Sequence, residues 1–126
     1  MRLLIDTHVF LWWESAPKNI APSLLAAIND DANDVLVSAA SVWEITIKQA
    51  LGKLDFGRQI VSAIAAHDFA VMPITGAHAE YAGALPRHHN DPFDRVIVAQ
   101  AYLEGMILGT QDPQMRPYGV ATLGID

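Results

Sequence analysis

Near its start the chain runs Leu3-Leu4-Ile5, three apolar residues that stop abruptly at a carboxylate, Asp6. A short continuous apolar run reads as a strand buried on both faces, as in a parallel sheet. Comparable runs return at Val35-Leu36-Val37, Ala70-Val71-Met72 and Met106-Ile107-Leu108, with a short fifth at Val120-Ala121-Thr122. The segments between them read as helices: Val9 to Glu14, Pro22 to Asn29, Ser38 to Leu51, Ile60 to Ala66, Thr75 (as cap) to about Leu85, and Pro92 to Glu104. Pro17 breaks the first of these, Pro22 stands where a helix start tolerates proline, and Gly52 is a natural stop. Strands alternating with helices predict an α/β fold, a central parallel sheet of four to five strands with helices on its faces. No repeat, linker or low-complexity tract interrupts the 126 residues, so a single domain over 1–126 is expected.

Just over half of the residues are apolar, yet no apolar run approaches a membrane span. The N-terminus lacks the basic head and apolar middle of a signal peptide. Cysteine is absent, which excludes disulfides and thiolate metal sites and fits a reducing cytoplasm. Trp12 and Trp13 are adjacent, and two neighbours on one helix cannot both point inward. One is expected in the core and the other half-exposed or in a partner interface. The formal charge of −6 makes the chain a poor non-specific binder of phosphate backbones. A metal ion, a local basic patch or a basic partner would have to supply positive charge if it acts on nucleic acid.

Helices of a parallel α/β layer run antiparallel to the strands, so strand C-termini and helix N-termini share one edge, where ligands of such sheets bind. Asp6 ends the first strand, Glu44 lies early in the helix after the second, Asp91 and Asp94 open the long helix, and Asp112 follows the fourth strand. Each has a modest alternative. Asp6 could begin a turn or cap a helix, and Ser41-Val-Trp-Glu44 has the spacing of a capping box. Asp91 before Pro92 is a good N-cap with Asp94 at the favoured third position, and Asp112-Pro113 is an ordinary turn. Gathered together, the acids would raise each other's pKa unless a cation compensates. Carboxylate oxygens without cysteine suit Mg²⁺, or Mn²⁺, over zinc. Such an ion can activate water and neutralise charge on a phosphodiester. Arg87, His88, His89 and Arg95 lie beside the acids and could hold backbone phosphates, the two histidines fitting a solvated loop better.

Leu4-Ile-Asp-Thr-His8, Ser38-Ala-Ala-Ser-Val-Trp-Glu-Ile45, Asp91-Pro-Phe-Asp-Arg-Val-Ile-Val-Ala-Gln-Ala101 and Thr110-Gln-Asp112 follow one another over almost the whole chain. In that order and spacing they resemble the PIN-domain nucleases, and the Asp-Pro-Phe-Asp-Arg segment resembles the VapC-like toxins of type II toxin–antitoxin systems. The resemblance implies a PIN-like three-layer α/β/α fold and a Mg²⁺-dependent endoribonuclease held inactive by a VapB-like antitoxin. It implies Asp6, Glu44, Asp94 and Asp112 as catalytic, metal-binding acids, with Mn²⁺ able to substitute. Thr7, Thr110, Arg95 and Asp91 become candidates for substrate contact, Asp91 as cap first. It further implies a cytoplasmic homodimer, with an antitoxin segment reaching into the acidic groove, where an Arg could take the metal's place.

Two other classes stay open. A phosphatase of the haloacid-dehalogenase kind also ends an apolar strand in a catalytic Asp. It needs a second Asp where this chain has His8, and a Lys that is not found. A non-catalytic module could instead use the acidic pocket to bind a basic partner.

Overall fold

The structure, a computed structural model, describes residues 1–125. Its five strands are β1 (Arg2–Ile5), β2 (Asp34–Ser38), β3 (Ala70–Met72), β4 (Ile107–Gly109) and β5 (Thr122–Leu123). They form one sheet in the order β3-β2-β1-β4-β5. Every neighbouring pair is parallel. The most apolar strand takes the centre: Leu4 pairs with Leu36 on one side and Leu108 on the other. Six helices connect the strands: α1 (Thr7–Ser15), α2 (Pro22–Asn29), α3 (Ala39–Ala50), α4 (Ile60–Ala66), α5 (Gly76–Ala84) and α6 (Pro92–Glu104). Two 3-10 turns, Pro17–Asn19 and Pro113–Tyr118, complete the chain path.

Successive strand side chains point to opposite faces, and the core divides accordingly. Leu3, Ile5, Val35 and Val37 meet Val9 and Phe10 of α1, Leu24 and Ile28 of α2, and Ile60 and Ile64 of α4. Leu4 and Leu108 meet Ile97, Val98 and Ala101 of α6, with Met115 from the second 3-10 turn. The result is the expected three-layer α/β/α arrangement. Gly109 ends β4 where β1 and α2 press closely on it. A Cβ there would stand 3.0 Å from Ile5 Cγ2 and 3.1 Å from Leu24 Cδ1.

Several expected boundaries move, each for a local reason. Helix α1 starts at Thr7 rather than Val9, because Asp6 is its N-cap and accepts the Val9 amide at 2.9 Å. Helix α3 is capped by Ser38, whose hydroxyl accepts the Ala40 amide at 3.0 Å. Ser41 is therefore already inside the helix, and the capping box, the alternative reading of Glu44, does not form. Strand β4 lies one residue later than expected, and β5 is Thr122–Leu123 rather than Val120–Thr122. Trp12 and Trp13 share the same fate: both are half-buried against the α1 side of the core.

Candidate active site

Parallel pairing of β1 with β4 sets their ends side by side, and the Asp6 amide donates to the Gly109 carbonyl at 2.9 Å. Asp6 is 3% exposed. Its Oδ1 caps α1, and its Oδ2 accepts the Thr110 hydroxyl at 2.5 Å. Thr110 Oγ1 also accepts the Asp112 amide at 3.1 Å, turning the chain so that Asp112 follows at the same edge. Asp112 Oδ1 accepts the Gln114 amide at 2.9 Å, which leaves Oδ2 to face the cluster.

Asp91 caps α6, its Oδ1 accepting the amides of Phe93 at 2.8 Å and Asp94 at 3.3 Å. Capping by Asp91 frees the Asp94 carboxylate to turn inward from the first helical turn, where it is buried. Glu44 enters from α3. Its Oε2 meets Lys48 Nζ at 2.8 Å, while Oε1 is buried without a hydrogen-bond partner. Thr7 does not face outward for a substrate. Its hydroxyl donates to Ser41 Oγ at 2.8 Å, a buried clamp between α1 and α3.

Burial and mutual repulsion dominate the electrostatics of the cluster. Burial pushes the Asp6 carboxyl above its ordinary range, partly offset by the Thr110 and Val9 hydrogen bonds and by His8, while Asp112 adds to the rise. Asp94 is pushed up to about 8, first by burial and then by the charges of Asp91, Asp6, Glu44 and Asp112. Acids shifted this way by lost hydration and mutual repulsion want a cation. The orphaned Glu44 Oε1 and the predominance of carboxylate oxygens fit a hard divalent ion.

His89 corrects the sequence reading, which gave both histidines of this loop to solvent. Its backbone amide donates to the Tyr118 hydroxyl at 2.9 Å, drawing the loop over the acids. Its Nδ1 accepts the Asp91 amide at 3.1 Å, which puts the ring proton on Nε2. That nitrogen lies 2.9 Å from Asp112 Oδ2 and 3.1 Å from Asp94 Oδ2. One atom each of His89, Asp94 and Asp112 all fall within 4.8 Å of one another. The only hint in the sequence was the nearness of His89 to Asp91. His88 and Arg87 remain exposed as expected. Arg95, a candidate for holding phosphate, is engaged elsewhere: its guanidinium donates to the carbonyls of Ala82 at 3.0 Å and Leu85 at 2.9 Å, closing the C-terminus of α5.

The family model of the PIN domain matches residues 3–120. The chain belongs to the PIN-domain family. Ribonuclease VapC22 of Mycobacterium tuberculosis is 29% identical over 119 residues, covering 92% of this chain and 91% of that protein. In fold, this PIN domain is similar to a chain of the VapBC2 complex from Rickettsia felis bound to a promoter DNA fragment. That match has a TM-score of 0.70, 15% identity, and covers all of both chains. VapBC-1 from nontypeable Haemophilus influenzae gives a TM-score of 0.64 at 17% identity, covering 98% of this chain and 97% of that one. Membership of the family sets aside the haloacid-dehalogenase alternative. No helix of this PIN domain, among the described residues, is long and apolar enough to cross a membrane.

Proposed function

We propose that this PIN domain is a divalent-metal-dependent endoribonuclease, the toxin of a type II pair, and that a VapB-like antitoxin restrains it. One observation carries the reading: carboxylates from four segments meet at one sheet edge, with Glu44 Oε1 unpartnered and Asp94 raised to about 8. Similarity to Ribonuclease VapC22 and the fold shared with VapBC complexes support it.

Asp6, Glu44 and Asp94 would hold the ion, with Asp112 completing the set, and Mg²⁺ or Mn²⁺ suits their oxygens. When bound, the ion supplies positive charge to the scissile phosphate and makes water a usable nucleophile at neutral pH. The chain's own residues do the positioning. Thr110 fixes Asp6 Oδ2, Asp6 Oδ1 is spent on capping α1, and Asp91 aims Asp94 inward. His89 ties Asp94 to Asp112, its Nε2 proton placed between the two carboxylates. An acidic groove of this kind also suits a basic antitoxin segment, and we assign the working form to a cytoplasmic homodimer.

The test is cleavage of total and transfer RNA by the antitoxin-free protein in Mg²⁺, in Mn²⁺ and in EDTA, with Asp6→Asn alongside. Metal-dependent cuts that vanish in EDTA and in the variant are the expected result. Full activity in Asp6→Asn, or undiminished cleavage in EDTA, would overturn it.

A further inference from the structure

Beside the acid cluster, Asp6, Asp112, His8, Trp12 and Gln111 line a cavity of about 280 Å³. Its floor is shared with the proposed metal site, and its walls have no part in that site. His8 and Trp12 stand one helical turn apart on α1, their ring centroids 6.2 Å apart and their planes inclined at 46°. Residues at this spacing share one face of a helix. Trp12 packs against the core and also borders the cavity. Gln111 is fixed at both ends of its amide: Oε1 accepts the Ala21 amide at 2.7 Å and Nε2 donates to the Asn19 carbonyl at 3.2 Å. That wall is therefore preset, with one amide hydrogen and one oxygen lone pair of Gln111 left over.

We propose that this cavity receives the nucleobase flanking the cleaved phosphodiester, stacked on the indole of Trp12 with His8 at its edge. The inference rests on the ribonuclease reading above and names how that site holds its substrate. A chain of formal charge −6 draws little affinity from phosphates. Stacking carries no such penalty, and it tolerates any base because every base has a π-face. The geometry also fits, since a base lies one sugar away from its phosphate and the cavity opens directly beside the acids. A base can enter only when unpaired, so the substrate class is single-stranded RNA or a loop.

The experiment compares wild type, Trp12→Ala and Trp12→Phe on a short single-stranded oligoribonucleotide carrying the cleavage site. Two further oligomers lack the base on one or the other side of the cut. The wild type should lose about ten-fold in kcat/KM on one of the abasic oligomers. Trp12→Ala should show a similar loss on intact RNA and no further loss on that abasic oligomer, while Trp12→Phe recovers most of it. Trp12→Ala matching wild type on intact RNA, or losing the same additional factor on the abasic one, would overturn the assignment. Should Trp12→Ala melt early, tryptophan emission of the Asp94→Asn, Trp13→Phe, Trp43→Phe protein, in which Trp12 is the one tryptophan left, gives a second measurement. Intact RNA should quench it and the abasic oligomer should not, whereas equal quenching by both overturns the proposal. Trp12 variants that handle RNA normally but escape the antitoxin would overturn it too, and give the cavity to the protein partner. A wild type that cleaves no RNA removes the ribonuclease reading itself, and this inference with it.

Discussion

At the scale of single residues, Asp94 decides how the protein responds to pH. Its folded pKa of about 8 stands above the ordinary 3.8, so the folded state holds the proton more tightly than the unfolded one. The associated stability is fully present below pH 3.8 and is lost as pH rises through about 8. Asp94→Asn should therefore abolish cleavage and yet stabilise the metal-free protein at pH 9 by on the order of 2–4 kcal/mol, with little gain at pH 4. Denaturant melts at the two pH values check the sign. Thr110→Val acts the opposite way. It removes the donor to the buried Asp6 Oδ2 and should cost about 1–3 kcal/mol, with a parallel loss of cleavage. Thermal melts and single-turnover assays of the one variant measure both.

At the scale of elements, helix ends do much of the site's positioning. Three of the gathered acids, Asp6, Asp91 and Asp112, cap the segments that follow them. Capping, which the sequence posed as the alternative to metal binding, leaves the second oxygen of Asp6 and of Asp112 turned to the cluster, so it is compatible with the proposed metal site. Arg95 belongs to the same economy of helix ends, and Arg95→Met should lower stability by about 1–3 kcal/mol through the freed carbonyls of α5. Gly105, at φ 64°, ends α6 in the left-handed region. Gly105→Ala should cost about 1 kcal/mol, readable in a urea melt. The alternation of apolar runs with helical stretches, and the acids at their junctions, were legible because they follow from local pattern. His89 was not, because its place depends on the Tyr118 hydroxyl, 29 residues away. Nor was the clamp of Thr7 on Ser41, which needs α1 and α3 to be docked first.

At the scale of the whole molecule, the proposed metal site would make stability and metal binding one equilibrium. An ion that binds only the folded state at a hundred times its Kd adds about 2.7 kcal/mol. Because Asp94 must release its proton to bind, the rise in Tm with Mg²⁺ should be larger at pH 8.5 than at pH 5.5, and scanning calorimetry at both values checks it. Asp6→Asn should flatten the response at either pH. The sheet order has a consequence of a different kind. Strand β1 pairs with β4, and Asp6 takes its hydrogen bond from Thr110, 104 residues further along the chain. During synthesis the earliest carboxylate waits for the latest, and the cluster cannot assemble until residues 107–112 have cleared the ribosome. On the proposed ribonuclease reading, a growing chain cannot yet cut the message being read. Arrested nascent chains ending before Ile107 should leave RNA intact, whereas the released protein cuts it.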